Sequence, residues 1–127
     1  MPKLIPGLTG EATVAVTEAN SAATLKSGSL PVFATPAMCA LMEEAACAAV
    51  NSCLEEGMST VGIRLEITHD RATALGGTAR AKAELTEIAG RKLTFRVSAT
   101  DAKGVIGAGK HERFIINCAK FMAKAQS

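Results

Sequence analysis

The chain has 127 residues, 48% of them hydrophobic and 20% charged, with a formal net charge of +2. That length fits one domain over residues 1–127, and that hydrophobic share excludes a disordered chain. So small a charge, with no basic run and only 3% aromatics, argues against a nucleic-acid partner, and no apolar run is long enough to span a bilayer. The N-terminus, with Lys3, Pro6 and Gly7, lacks the apolar stretch of a signal peptide, so a cytoplasmic protein is expected. The four cysteines, Cys39, Cys47, Cys53 and Cys118, form no C-x-x-C and have no metal-site spacing. They read as small buried hydrophobes, and no metal ion or redox cofactor is implied.

The first predicted element is a strand over Glu11 to Thr17, where Ala12, Val14 and Val16 share a face. Ala19 to Leu30 reads as a loop or short helical turn. A long helix follows from about Pro36 to Glu56, with Thr35 as its expected N-cap, Pro36 at its first position and Gly57 at its end. Met38, Met42, Ala45, Ala46, Ala49 and Cys53 fall on one side of it. Glu44 falls opposite, and Glu43 falls on the border, so the two neighbours are expected to have different surroundings.

Four strands are predicted next. In Thr60 to Thr68, Val61, Ile63, Leu65 and Ile67 point one way, and His69 continues their side. In Thr78 to Glu87, Ala79, Ala81, Ala83 and Leu85 alternate with Arg80, Lys82 and Glu84. Leu93, Phe95, Val97 and Ala99 mark the third strand, and Val105 to Asn117 the fourth, before a short tail from Lys120 to Gln126. One helix cannot cover both faces of a five-stranded sheet. The pattern therefore predicts an α+β domain whose curved antiparallel sheet wraps the helix, with an edge or face closed by a second copy.

Chemistry has few candidates. Thr35 places a hydroxyl at the positive end of a helix, Glu43 offers a carboxylate and His69 an imidazole, which together suffice for acyl transfer. Each also has a plain reading, as a cap, a solvated glutamate and a packed histidine. His111 reads as a packed or surface residue. Arg71, Arg91, Lys92 and Arg113 read as solvated, with one or two free to meet phosphates.

The segments VFATPAMCALMEEAA, ITHDRATALGG, AELTEIAGRKLTFRVSATD and IGAGKHERFII resemble, in family order, the hotdog-fold thioesterases typified by fluoroacetyl-CoA thioesterase. The resemblance runs from about Leu30 to Phe121. It implies a long central helix wrapped by an antiparallel sheet of about five strands, a homodimer or a tetramer built from it, and hydrolysis of acyl-CoA. It places the family's catalytic threonine on Thr35, its glutamate on Glu43 and its histidine on His69. Val32, Phe33, Pro36 and Gly62 are the expected substrate contacts. The prototype carries phenylalanines in the loop before the helix, whereas Ala22 to Leu30 has none, so ordinary short- or medium-chain acyl groups are the expected substrates. A non-catalytic acyl-CoA-binding protein and an enoyl-CoA hydratase of the same fold are the alternatives.

Overall fold

The computed structural model describes residues 1–127. Strand β1 (Thr9–Ala15) is followed by a one-turn helix α1 (Ala22–Leu25) and the long helix α2 (Thr35–Val50). Then come β2 (Met58–His69), β3 (Thr78–Ala89), β4 (Lys92–Asp101), β5 (Gly104–Asn117) and a closing helix α3 (Cys118–Ala125). All pairings are antiparallel, in the order β1-β3-β4-β5-β2, and the sheet curls around α2. This is the hotdog arrangement. Strands β1 and β2 are its two edges.

Helix α2 runs chiefly over β1 and β3, and small residues on both sides let it come close. Its buried face is Met38, Leu41, Met42, Ala45, Ala46, Ala49 and Val50, set against Ala79, Ala81 and Ala83 of β3. At Gly10 of β1 even a methyl group would overlap the Ala45 carbonyl oxygen and the Ala49 amide nitrogen. Leu85, Leu93, Phe95, Val97 and Ile106 complete the core from the sheet side.

Four sequence expectations change. The N-cap is Ala34, so Thr35 is the first helical residue, and no side chain caps the helix. Helix α2 stops at Val50, and a 3-10 turn over Asn51–Cys53 carries the chain on to Gly57, whose φ of +83° marks the turn into β2. Strand β2 does not keep one apolar face: a bulge between Gly62 and Arg64 shifts its register. Thr60 and Gly62 face inward before it, and Leu65, Ile67 and His69 after it, which leaves Ile63 50% exposed. The tail is helical because the Asn117 carboxamide oxygen accepts from the Lys120 amide and caps α3.

Candidate active site

The start of α2 is fixed by the loop before it. The Phe33 amide donates to the Thr73 carbonyl (2.9 Å) and the Ala34 amide to the Asn20 carbonyl (3.0 Å). One turn into the helix, Met38 lies against Gly107 of β5, and Gly107 is paired with His69 at the end of β2. These contacts bring the first helical side chain to the histidine. Thr35 Oγ1 and His69 Nδ1 are 2.7 Å apart, within hydrogen-bond reach of each other. His69 Nε2 is buried with no partner, so Nδ1, facing the hydroxyl, is the nitrogen available for proton transfer. The pair lies on a cavity of about 230 Å³, whose walls include Ala22, Val32, Phe33 and Arg71. Pro36 has no N–H and the Met38 amide donates to the Ala34 carbonyl, so the Thr35 and Ala37 amides are the first-turn donors without an intrahelical acceptor, at the positive end of the helix dipole.

Glu43 is elsewhere. It is eight residues beyond Thr35 on α2, about 12 Å along the axis. Its carboxylate is half-exposed and lies over Gly62, where a methyl group would collide with Oε2. Arg113 Nη1 donates to that oxygen at 3.0 Å. The Arg113 guanidinium is itself buried: Nε donates to Thr60 Oγ1 (2.9 Å) and Nη2 to the Thr60 carbonyl (3.0 Å). His111 completes the cluster, with Nε2 3.2 Å from Arg113 Nη1 and Nδ1 2.7 Å from the Arg64 carbonyl. Burial pushes the His111 imidazole below the usual histidine range, and the neighbouring Arg113 cation acts in the same direction.

A third group ties the loop after β2 to the β4–β5 turn. Asp101 accepts from Arg71 Nη2 (2.8 Å), Thr73 Oγ1 (2.8 Å) and the Lys103 amide (2.9 Å). The Thr73 hydrogen bond, more than any other contact, holds its carboxyl below the ordinary aspartate value.

One chain thus brings Thr35 and His69 together, with Val32 and Phe33 beside them, and holds Glu43 and Gly62 apart in a second cluster. Pro36 is exposed and does not line the cavity. Arg113 and His111 were read from the sequence as ordinary surface or packing residues. Their spacing was the available signal, since residues two apart on a strand share a face and these follow Gly107 and Gly109 on it.

Residues 16–119 match the family model described as fluoroacetyl-CoA-specific thioesterase. The chain belongs to that family. A fluoroacetyl-CoA thioesterase of Streptantibioticus cattleyicolor is 44% identical over 95 residues, covering 75% of this chain and 68% of that protein. The solved structure of the fluoroacetyl-CoA thioesterase FlK superposes with a TM-score of 0.91 at 35% identity, covering 98% of this chain and 97% of that one. A hypothetical protein of Thermus thermophilus, a thioesterase superfamily member, superposes with a TM-score of 0.89 at 28% identity, over 99% of this chain and 93% of that one. Membership in the fluoroacetyl-CoA-specific thioesterase family makes the chain an enzyme, an acyl-CoA thioesterase. No helix in it is long and apolar enough to cross a membrane.

Proposed function

We propose that this thioesterase hydrolyses short-chain acyl-CoA in the cytoplasm, as a homodimer whose two sites are each completed across the subunit boundary. The observation that carries the reading is the 2.7 Å pair of Thr35 and His69 on a cavity of about 230 Å³. The cavity is the part of the site that one subunit supplies, and it gives the thioester end of the substrate a place against the pair. His69 takes the proton of an attacking oxygen, either water directly or the Thr35 hydroxyl first. The C–S bond breaks, CoA leaves as its thiol, and water supplies the oxygen of the released acid. The free Thr35 and Ala37 amides at the start of α2 hold the developing oxyanion.

Glu43 enters this chemistry from the other subunit. Along β2, Gly62 and His69 are roughly 20 Å apart, too far for one chain to join its own Glu43 to its own imidazole. The edge of β2 is free, and antiparallel pairing with a second copy about a twofold axis lays the Thr60–Gly62 end of one strand beside the Ile67–His69 end of the other. Glu43 then faces the dyad of its neighbour as nucleophile or proton carrier.

The test compares kcat of Glu43→Gln, Glu44→Gln and His69→Ala on acetyl-, fluoroacetyl-, butyryl- and aryl-acyl-CoA. Glu43→Gln and His69→Ala should each lose about two orders of magnitude or more, the usual contribution of a positioned proton-transfer group. Exposed Glu44 should tolerate its change. Equal, small effects at Glu43 and Glu44 would remove Glu43 from the chemistry and leave the Thr35–His69 pair to act without it. On substrate, the Ala22–Leu30 segment without aromatics supports acetyl and butyryl as well as fluoroacetyl groups. The names of the relatives support a second reading, fluoroacetyl-CoA alone, and a kcat/KM preference of several hundredfold for that substrate would establish it.

A further inference from the structure

His111 is 1% exposed, yet its chemistry is fully specified by its neighbours. The Arg64 carbonyl can only accept, so Nδ1, 2.7 Å away, carries the proton. Arg113 can only donate, so Nε2, 3.2 Å from Nη1, is the bare acceptor. The ring is thereby fixed as one neutral tautomer. Phe95 stacks on it with ring centroids 6.2 Å apart and planes 29° from parallel, which fixes its tilt. Its Nε2 lies 3.9 Å from Glu43 Oε2, too far for a hydrogen bond. The imidazole therefore touches the carboxylate only through Arg113.

Arg113 Nη1 is shared between two acceptors, His111 Nε2 and Glu43 Oε2. The other guanidinium nitrogens are held by Thr60. Thr60 fixes the position of the fork, while His111 fixes its rotation toward α2. A buried fork with an unpaired N–H would turn to satisfy it, and Glu43, half-exposed on α2, would follow.

We propose that His111 is a positioning residue for thioester hydrolysis: as the fixed Nδ1-H tautomer it accepts from Arg113 and so aims the guanidinium that holds Glu43 at its working place. The inference rests on the assignment of Glu43 to catalysis above. Two variants separate the two ends of the ring. His111→Gln can return an acceptor near the Nε2 position and lacks the tether to Arg64. His111→Asn can keep the donor to Arg64 and lacks the acceptor.

The experiment measures kcat and KM on acetyl-CoA for wild type, His111→Gln, His111→Asn, Glu43→Gln and the double variant His111→Asn/Glu43→Gln, with thermal melts of each. His111→Asn is expected to lose kcat tenfold or more with KM within about twofold, whereas His111→Gln recovers most of that rate. In the Glu43→Gln background, His111→Asn should cost no further rate. Equal losses in the two His111 variants, or losses that multiply with Glu43→Gln, would overturn the inference and leave His111 a packing residue. A Glu43→Gln enzyme with wild-type kcat would instead overturn the catalytic assignment itself. If His111→Asn fails to melt cooperatively, the comparison of His111→Gln with wild type decides: a kcat loss beyond tenfold in a folded His111→Gln protein counts against the acceptor role.

Discussion

Gly62 shows how one residue serves two neighbours. Its backbone φ lies outside the positive region, so glycine is not required for conformation. It is required for room, because a Cβ there would strike Glu43 Oε2 and lie 3.3 Å from both Arg113 Nη1 and His111 Cε1. The obstructed atom is the end of a flexible side chain, so Gly62→Ala should fold while pushing the carboxylate aside. The expected outcome is a kcat loss of about tenfold or more, since small misplacements of a reacting group are costly. The melting temperature should change by only a few degrees, and kinetics beside a thermal melt checks both. Thr35 gives a simpler case. Thr35→Ser keeps the hydroxyl 2.7 Å from the imidazole and should retain most of the rate, while Thr35→Ala removes it and should not. At this scale the sequence was legible where chemistry is carried by rare residue types. His69 stood out because the chain has only two histidines, and Thr35, one threonine among many, because it opens the long helix. Arg113 did not, because nothing local distinguishes a buried guanidinium from a solvated one; its partners Thr60 and Glu43 lie 53 and 70 positions away in the chain.

Elements were legible wherever one period runs unbroken. Strands β3 and β4 bury the alternating sets Ala79, Ala81, Ala83, Leu85 and Leu93, Phe95, Val97, Ala99 as the pattern requires. Strand β2 was misread in its first half because the bulge inserts one residue and exchanges the faces, and a bulge leaves no mark in the period until the partner strand is known. That same bulge lets Gly62 face Glu43 and His69 face Thr35 from one inner surface. Asp101 governs a different element, the loop from Asp70 to Gly77 that walls the cavity. Asp101→Asn keeps the shape of the side chain and removes the charge that receives Arg71 and Thr73. The loop should loosen, so KM for acyl-CoA should rise severalfold with a smaller change in kcat, and the loop amides should lose protection from hydrogen exchange. An unchanged KM would show that the loop is held by its other contacts, chiefly the Phe33–Thr73 backbone bond. The sign of the pH effect follows from the lowered Asp101 value. A carboxyl held below its unfolded value of about 3.9 contributes stability above that pH and loses it as the pH falls through the folded value, so the latch acts throughout the neutral range.

For the whole molecule, stability should decline on the acid side. His111 lies below its unfolded value of about 6.5, so the unfolded chain takes up the proton first. Stability from the neutral ring is fully present above about pH 6.5 and declines as the pH falls from there through the folded value. The facing groups are Arg113, which opposes protonation, and Glu43 and Glu112, which favour it. A His111→Gln protein should lack that part of the decline in melting temperature. Assembly supplies the sharpest test, because the two clusters belong to opposite ends of β2 and one chain does not join them. Mixing inactive His69→Ala and Glu43→Gln proteins, with exchange of subunits, should restore activity. In a heterodimer one site collects both substitutions and the other collects neither. With random exchange about half the dimers are mixed and each has one intact site, so recovery should approach about a quarter of the wild-type rate per subunit. Sedimentation must show a dimer, or a tetramer built from it, in the same samples. A stable monomer, or a mixture with no recovered activity despite proven exchange, would place Glu43 and His69 in separate roles and remove the shared site.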